Sequence, residues 1–140
     1  MSRTLLVPLD GSPQSKEALQ YTVETFPDAD LVVVHVLNPA AGTGDIDGMI
    51  ADTASVIGDQ QAFAEELFDE ARETVGADRI VDTELLAGRA ATEIVDYAAE
   101  HDIDEIVMGS HGRDGAARLL LGSVSETVVR RSPVPVTVVR

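Results

Sequence analysis

Gly109, Gly112 and Gly122 are the residues of this chain best placed to do chemistry, because of what stands on either side of them. The stretch Ile106-Val107-Met108-Gly109-Ser110-His111-Gly112-Arg113 runs through Gly115 to Leu119-Leu120-Leu121-Gly122-Ser123-Val124. It follows an apolar strand pattern and opens a helical one. Beyond the carboxyl end of a strand in an open α/β sheet, a helix N-terminus preceded by glycines presents unpaired N–H groups to an anion. The glycines let the main chain approach phosphate oxygens closely, and the Ser123 hydroxyl can donate to a phosphate or help to hold a metal. A second reading fits the same residues: Gly109 and Gly112 turn the chain and Ser123 caps a helix. Local spacing does not separate the two. Between Gly109 and Ser123, Arg113 and Arg118 oppose Asp114 alone, so the window is positive inside a chain of net charge −15. The field at the loop can therefore differ in sign from the field at a distance.

The elements that must position this segment are legible in the apolar pattern. Thr4 to Leu9, Leu31 to Leu37, Ile80 to Leu86, Glu105 to Met108 and Pro135 to Val139 read as strands. Continuous rather than alternating hydrophobicity, as in Leu31 to Val34, predicts strands covered on both faces, the habit of parallel sheets flanked by helices. Ser12-Pro13 supplies an N-cap and a first-turn proline, after which Leu19, Thr22, Val23 and Phe26 mark one helix face up to Pro27. Ala64, Leu67, Phe68, Ala71 and Val75 mark a second helix that Gly76 ends. Ala91, Ile94, Val95 and Ala98 mark a third, and Ser123-x-x-Glu126 opens the last as a capping box with Val124 and Val128 inward. Strands and helices alternate throughout, which predicts an α/β fold, a mostly parallel sheet between two helical layers. Residues 1–140 fit one domain. Pro39 to Gly58 reads as a Gly- and Asp-rich connection, long for a compact domain.

Composition excludes several classes of function. There is no cysteine, hence no disulfide framework, thiolate nucleophile or cysteine-based metal site. The chain has 25 acidic residues against ten basic ones, so its surface repels nucleic acid and anionic membrane. The opening residues lack the apolar run of a signal peptide and no later run is long enough to span a bilayer, so a cytoplasmic protein is expected. Other motifs fail on inspection. Gly11-Ser12-Pro13-Gln14-Ser15-Lys16 lacks the Gly-Lys-Ser/Thr ending of a phosphate loop, and Gly42-Thr43-Gly44 meets Asp47 where a dinucleotide fingerprint needs its third glycine. His35, His101 and His111 carry no metal spacing, and His35 is most simply a strand-end residue. Ser110 and His111 beside Asp114 are too close in sequence to face one another as a hydrolytic triad.

Taken together, Met108-Gly109-Ser110-His111-Gly112 and Gly122-Ser123-Val124 resemble the Gly-x2-Gly-x9-Gly-(Ser/Thr) signature of the ATP-binding branch of the universal stress protein family. Leu6-Val7-Pro8-Leu9-Asp10-Gly11-Ser12, Val34-His35-Val36, Gly88-Arg89-Ala90 and Ser132-Pro133-Val134-Pro135-Val136 are similar to the family too. The resemblance implies a Rossmann-like three-layer domain whose five-stranded parallel sheet has the order 3-2-1-4-5, with adenosine across the first and fourth strands. It implies Pro8 and Val36 beside adenine, Met108 and Gly109 under the ribose, and Asp10 accepting from the ribose or aiding a metal. Gly112, Gly122, Ser123 and Val124 would hold the phosphates, with His111 and Arg113 in the motif's variable positions. ATP, ADP or AMP is the implied cofactor, with Mg²⁺ or Mn²⁺ bridging phosphate oxygens. A homodimer through the last strand is also implied, where Val134, Val136 and Val138 form an apolar edge.

Three functions compete: a nucleotide-binding regulatory or stress-response module, a slow ATPase or nucleotidyl or phosphoryl transferase in the same pocket, and a dimeric interaction protein without nucleotide. No residue presents itself as catalytic; Asp10 and His111 come nearest to a general base. The acidic excess fits a salt-rich, halophilic interior, where ions screen self-repulsion. The thermal midpoint is accordingly expected to rise from low salt to molar KCl; a flat or falling midpoint removes the reason for assigning such an interior.

Overall fold

Leu5, Leu6 and Val7 are all fully buried in the first strand, although successive side chains point to opposite faces. Both faces are therefore covered. Leu5 and Val7 pack with Leu31, Val33 and Val107 under two helices, while Leu6 packs with Val32, Val34, Ile106 and Met108 under the other two. The computed structural model describes residues 3–37, 53–76, 79–110 and 122–140, apart from the side chains of 53–57 and 81. Its elements are β1 (Thr4–Pro8), α1 (Pro13–Thr25), β2 (Asp30–Leu37), α2 (Thr53–Val75), β3 (Ile80–Ala87), α3 (Ala90–Glu100), β4 (Glu105–Gly109), α4 (Ser123–Arg131) and β5 (Val136–Val139). The strands form one parallel sheet in the order β3-β2-β1-β4-β5, as the resemblance implies. Helices α1 and α2 cover one face and α3 and α4 the other.

The local signals explain most boundaries. Ser12 is the N-cap of α1, its Oγ accepting the Ser15 N–H at 3.1 Å, with Pro13 in the first turn. Helix α2 ends where Gly76 takes φ +95 and donates to the Arg72 carbonyl at 2.8 Å. Its start differs from expectation: α2 begins at Thr53, so Thr53 to Gly58 belong to the helix and not to the connection. Extending an existing helix adds a hydrogen bond per residue, and Gly58 costs only about 1 kcal/mol relative to alanine, too little to stop it. The remainder of the expected connection, 39–52, lies outside the described residues.

Two corrections concern α4. Gly122, not Ser123, is its N-cap, and no side chain of the described residues caps this end. Ser123 is the first helical residue, so the expected capping box does not form. The inward face rotates with that shift: Val128 is fully buried and Ser125 nearly so, while Val124 is 37% exposed.

The C-terminus of α1 is closed by a residue far away in sequence. Arg79 donates from Nη2 to the carbonyls of Phe26 at 2.5 Å and Ala29 at 3.1 Å, and from Nη1 to that of Val23 at 3.5 Å. A guanidinium fork suits a helix end, where several carbonyls lack intrahelical partners and the dipole favours a cation. Arg79→Ala is expected to lower stability by about 1–3 kcal/mol, and Arg79→Lys to recover only part of that, since an ammonium cannot span the carbonyls. Urea denaturation checks this as a shifted midpoint at unchanged slope.

Candidate nucleotide site at the switch point of the sheet

From β1 the chain passes to α1 on one face, and from β4 it passes to α4 on the other. Such a switch point leaves a crevice beyond the carboxyl ends of the strands, where open α/β sheets take their ligands. The ladder reflects it. Pairing of β1 with β2 runs from Thr4↔Asp30 to Pro8↔Val34, but pairing of β1 with β4 comprises only Leu5↔Glu105 and Leu6↔Ile106.

The β1–α1 turn forms one side. Asp10 Oδ1 accepts the Ser12 N–H at 2.9 Å, and Ser15 Oγ donates to the Ser12 carbonyl at 2.9 Å while receiving the Asp10 N–H at 3.4 Å. Asp10 therefore shapes the turn, as a simple Asx turn would, and its Oδ2 has no hydrogen-bond partner among the described residues. Gly11 has φ +85, and a Cβ built there would stand 2.6 Å from Phe63 Cζ, so only glycine fits.

The β4–α4 connection forms the other side. The Gly122 N–H donates to the Ser110 carbonyl at 2.6 Å, and Ser125 Oγ donates to the same oxygen at 2.6 Å. Ser110 is itself anchored to β5 through its N–H, which donates to the Val139 carbonyl at 2.9 Å. The N-terminus of α4 is thus tied to the end of β4. Among the described residues no side chain caps it, so its first N–H groups have no partner there and suit an anion, in contrast with α1, where Ser12 caps the N-terminus. Gly122 itself has φ −75 and ψ 170, extended backbone open to any residue. No unusual backbone angle therefore demands glycine here.

The structure gathers Pro8, Asp10, Val36, Met108, Gly109, Gly122 and Ser123 at the carboxyl end of the sheet. Met108 is 5% exposed and packs in the core with Leu6 and Val128, so its side chain has a structural task whatever its main chain does. Val36 is partly buried against the same cluster. His111, Gly112 and Arg113 lie outside the described residues. Sequence reasoning weighed Ser110 only as a hydrolytic residue and missed Ser125, both 2% exposed, and it undervalued His35, which is 8% exposed and the one polar residue from Leu31 to Leu37. Among the described residues no group of three or more His, Asp or Glu stands ready to hold a metal, and no helix is long and apolar enough to cross a membrane.

Comparison with known proteins agrees with this geometry. Residues 1–140 match the model of the universal stress protein family. Universal stress protein MJ0531 of Methanocaldococcus jannaschii is 30% identical over 99% of this chain and 82% of its own length. Among solved structures, the universal stress protein UspA from Lactobacillus plantarum superposes with a TM-score of 0.84 at 26% identity, covering 99% of this chain and 97% of that one. A universal stress protein crystallised in complex with cAMP superposes with a TM-score of 0.67 at 28% identity, covering 99% of this chain and 97% of its own. This chain, whose connections change sides of the sheet between β1 and β4, belongs to the universal stress protein family.

Proposed function

We propose that this protein binds an adenine nucleotide, ATP foremost, at the switch point and works as a nucleotide-dependent regulatory or stress-response module in the cytoplasm. The observation that carries this reading is the N-terminus of α4, without a side-chain cap among the described residues and tethered through Gly122 to Ser110 at the end of β4. An anion there meets N–H groups that have no partner among the described residues. The cAMP complex of a relative supports adenosine as the attached moiety. Pro8 and Val36 would flank adenine, the main chain of Met108 and Gly109 would carry the ribose, and Asp10 would accept a ribose hydroxyl through Oδ2. Gly112, Gly122, Ser123 and Val124 would receive the phosphates, with His111 and Arg113 beside them. The exposure of Val124 suits that part better than the core position expected from sequence. Mg²⁺ or Mn²⁺ would come with the phosphates, because the described residues offer a carboxylate, Asp10, and no preformed cage. A slow ATPase in the same pocket is the second reading.

A homodimer through β5 goes with this function. Strand β5 is the sheet's edge, every residue of it is partly exposed, and Val134 and Val136 pack only partly against the core, leaving apolar edge for a second copy alongside Val138. Mass spectrometry of the small molecule retained through gentle purification tests the nucleotide, and sedimentation at micromolar concentration tests the dimer. Copurified ATP, ADP or AMP is expected. A protein that retains none and shows no heat on titration with ATP and magnesium overturns the proposal.

A further inference from the structure

We propose that His35 is the positioning residue of this site, acting through the Leu9 carbonyl to fix Asp10. Its functional consequence rests on the nucleotide reading above, whereas its structural part does not. His35 is buried on β2, 8% exposed, and its Nδ1 lies 2.7 Å from the Leu9 carbonyl oxygen. A carbonyl only accepts, so Nδ1 carries the proton and donates. The bond fixes one end of the peptide plane between Leu9 and Asp10. The other end, the Asp10 N–H, points to Ser15 Oγ at 3.4 Å, a longer and weaker contact. Leu9 is also held through its own N–H, which donates to the Val34 carbonyl at 2.8 Å. A peptide unit is planar, so clamping its oxygen fixes the direction of the next N–H and, with it, the backbone rotation that aims the Asp10 carboxylate.

The ring is backed by α2. Phe63 meets His35 edge to face at a centroid distance of 5.6 Å and an interplanar angle of 69°, and the same Phe63 ring lies against Gly11, the residue after Asp10. One aromatic thus braces both the clamp and the turn it holds. An apolar side chain at His35 would pack in this strand at least as well. It would leave a carbonyl at the mouth of the site without its donor, free to rotate toward water.

Three variants test this. His35→Leu removes the donor, His35→Asn restores an N–H near the position of Nδ1, and Asp10→Ala removes the group acted upon. In the protein without ligand, amide exchange of Ser12, whose N–H bonds Asp10 Oδ1, should accelerate about tenfold or more in His35→Leu while Val33 in mid-strand keeps its protection. His35→Asn should restore it. Ser12 protection equal to the parent's, or equal loss at Ser12 and Val33, overturns the proposal, whether or not the parent binds a nucleotide. With ATP, His35→Leu should weaken binding about tenfold in the parent background and leave it unchanged in the Asp10→Ala background, because residues acting as one unit are not additive. Additive losses mean that His35 acts on something other than Asp10. A parent that binds no nucleotide defeats the nucleotide reading, and the exchange result then decides the role of His35 alone.

Discussion

Gly122→Val is expected to leave a folded protein that no longer binds ATP measurably. The backbone at Gly122, φ −75 and ψ 170, suits a β-branched residue, so the left-handed strain that glycine substitutions often bring is absent. The stability cost is that of a poor N-cap, about 1 kcal/mol, a small part of the stability of a domain this size. Function has more to lose. Gly122 is the N-cap of α4, where in the proposed function phosphate oxygens would come within hydrogen-bond reach of the Ser123 and Val124 N–H groups. An isopropyl group at that point displaces the oxygens, and a loss of at least about 2.7 kcal/mol, a hundredfold in affinity, is expected. Ser123→Ala is the informative companion: its hydroxyl makes no cap bond, so stability should change by less than about 0.5 kcal/mol. Any affinity lost by that variant belongs to the ligand. Calorimetric titration with ATP and magnesium, beside urea denaturation, separates the two quantities. A folded Gly122→Val protein that binds ATP as the parent does would make the glycine loop structural and remove the main support for a nucleotide function.

The sequence displayed what depends on near neighbours. The unbroken apolar run Leu31 to Val34 reads as a strand buried on both faces, and Ser12-Pro13 and Gly76 mark helix ends by chemistry that needs no tertiary context. The start of α4 was ambiguous for the same reason. Ser123-x-x-Glu126 satisfies a capping pattern, but Gly122, drawn to the Ser110 carbonyl at 2.6 Å, takes the cap position and moves the serine into the first turn. The bond that decides it joins residues whose adjacency exists only after folding. His35 to Leu9, Arg79 to Phe26 and Ser125 to Ser110 are of that kind: each brings a side chain to a carbonyl 15 or more residues away in sequence. Strand order, too, was carried by family resemblance, since periodicity counts strands without ordering them.

Gly109→Ala should lower stability by about 2–3 kcal/mol, the cost of one methyl group set against main chain. The site adjoins α1. A Cβ at Gly109 would stand 2.8 Å from both the carbonyl carbon and the oxygen of Gln14 and 2.9 Å from Gln14 Cβ, so the obstacle is main chain and not a side chain able to swing away. Relief requires the first turn of α1 to lift from the end of β4. That turn begins at Ser12 and Pro13, and it carries the Ser15 hydroxyl that receives the Asp10 N–H. ATP affinity should therefore fall together with stability, unlike in Gly122→Val, where affinity falls almost alone. Gly58→Ala supplies the opposite control: Gly58 lies inside α2 with nothing within 4 Å of a built Cβ, and alanine there should add about 0.5–1 kcal/mol by helix propensity. Urea midpoints of the two variants should move in opposite directions from the parent's. If Gly109→Ala unfolds at the parent's midpoint, the main chain of α1 does not bear on β4 as described, and the close seating of the two sides of the crevice fails with it.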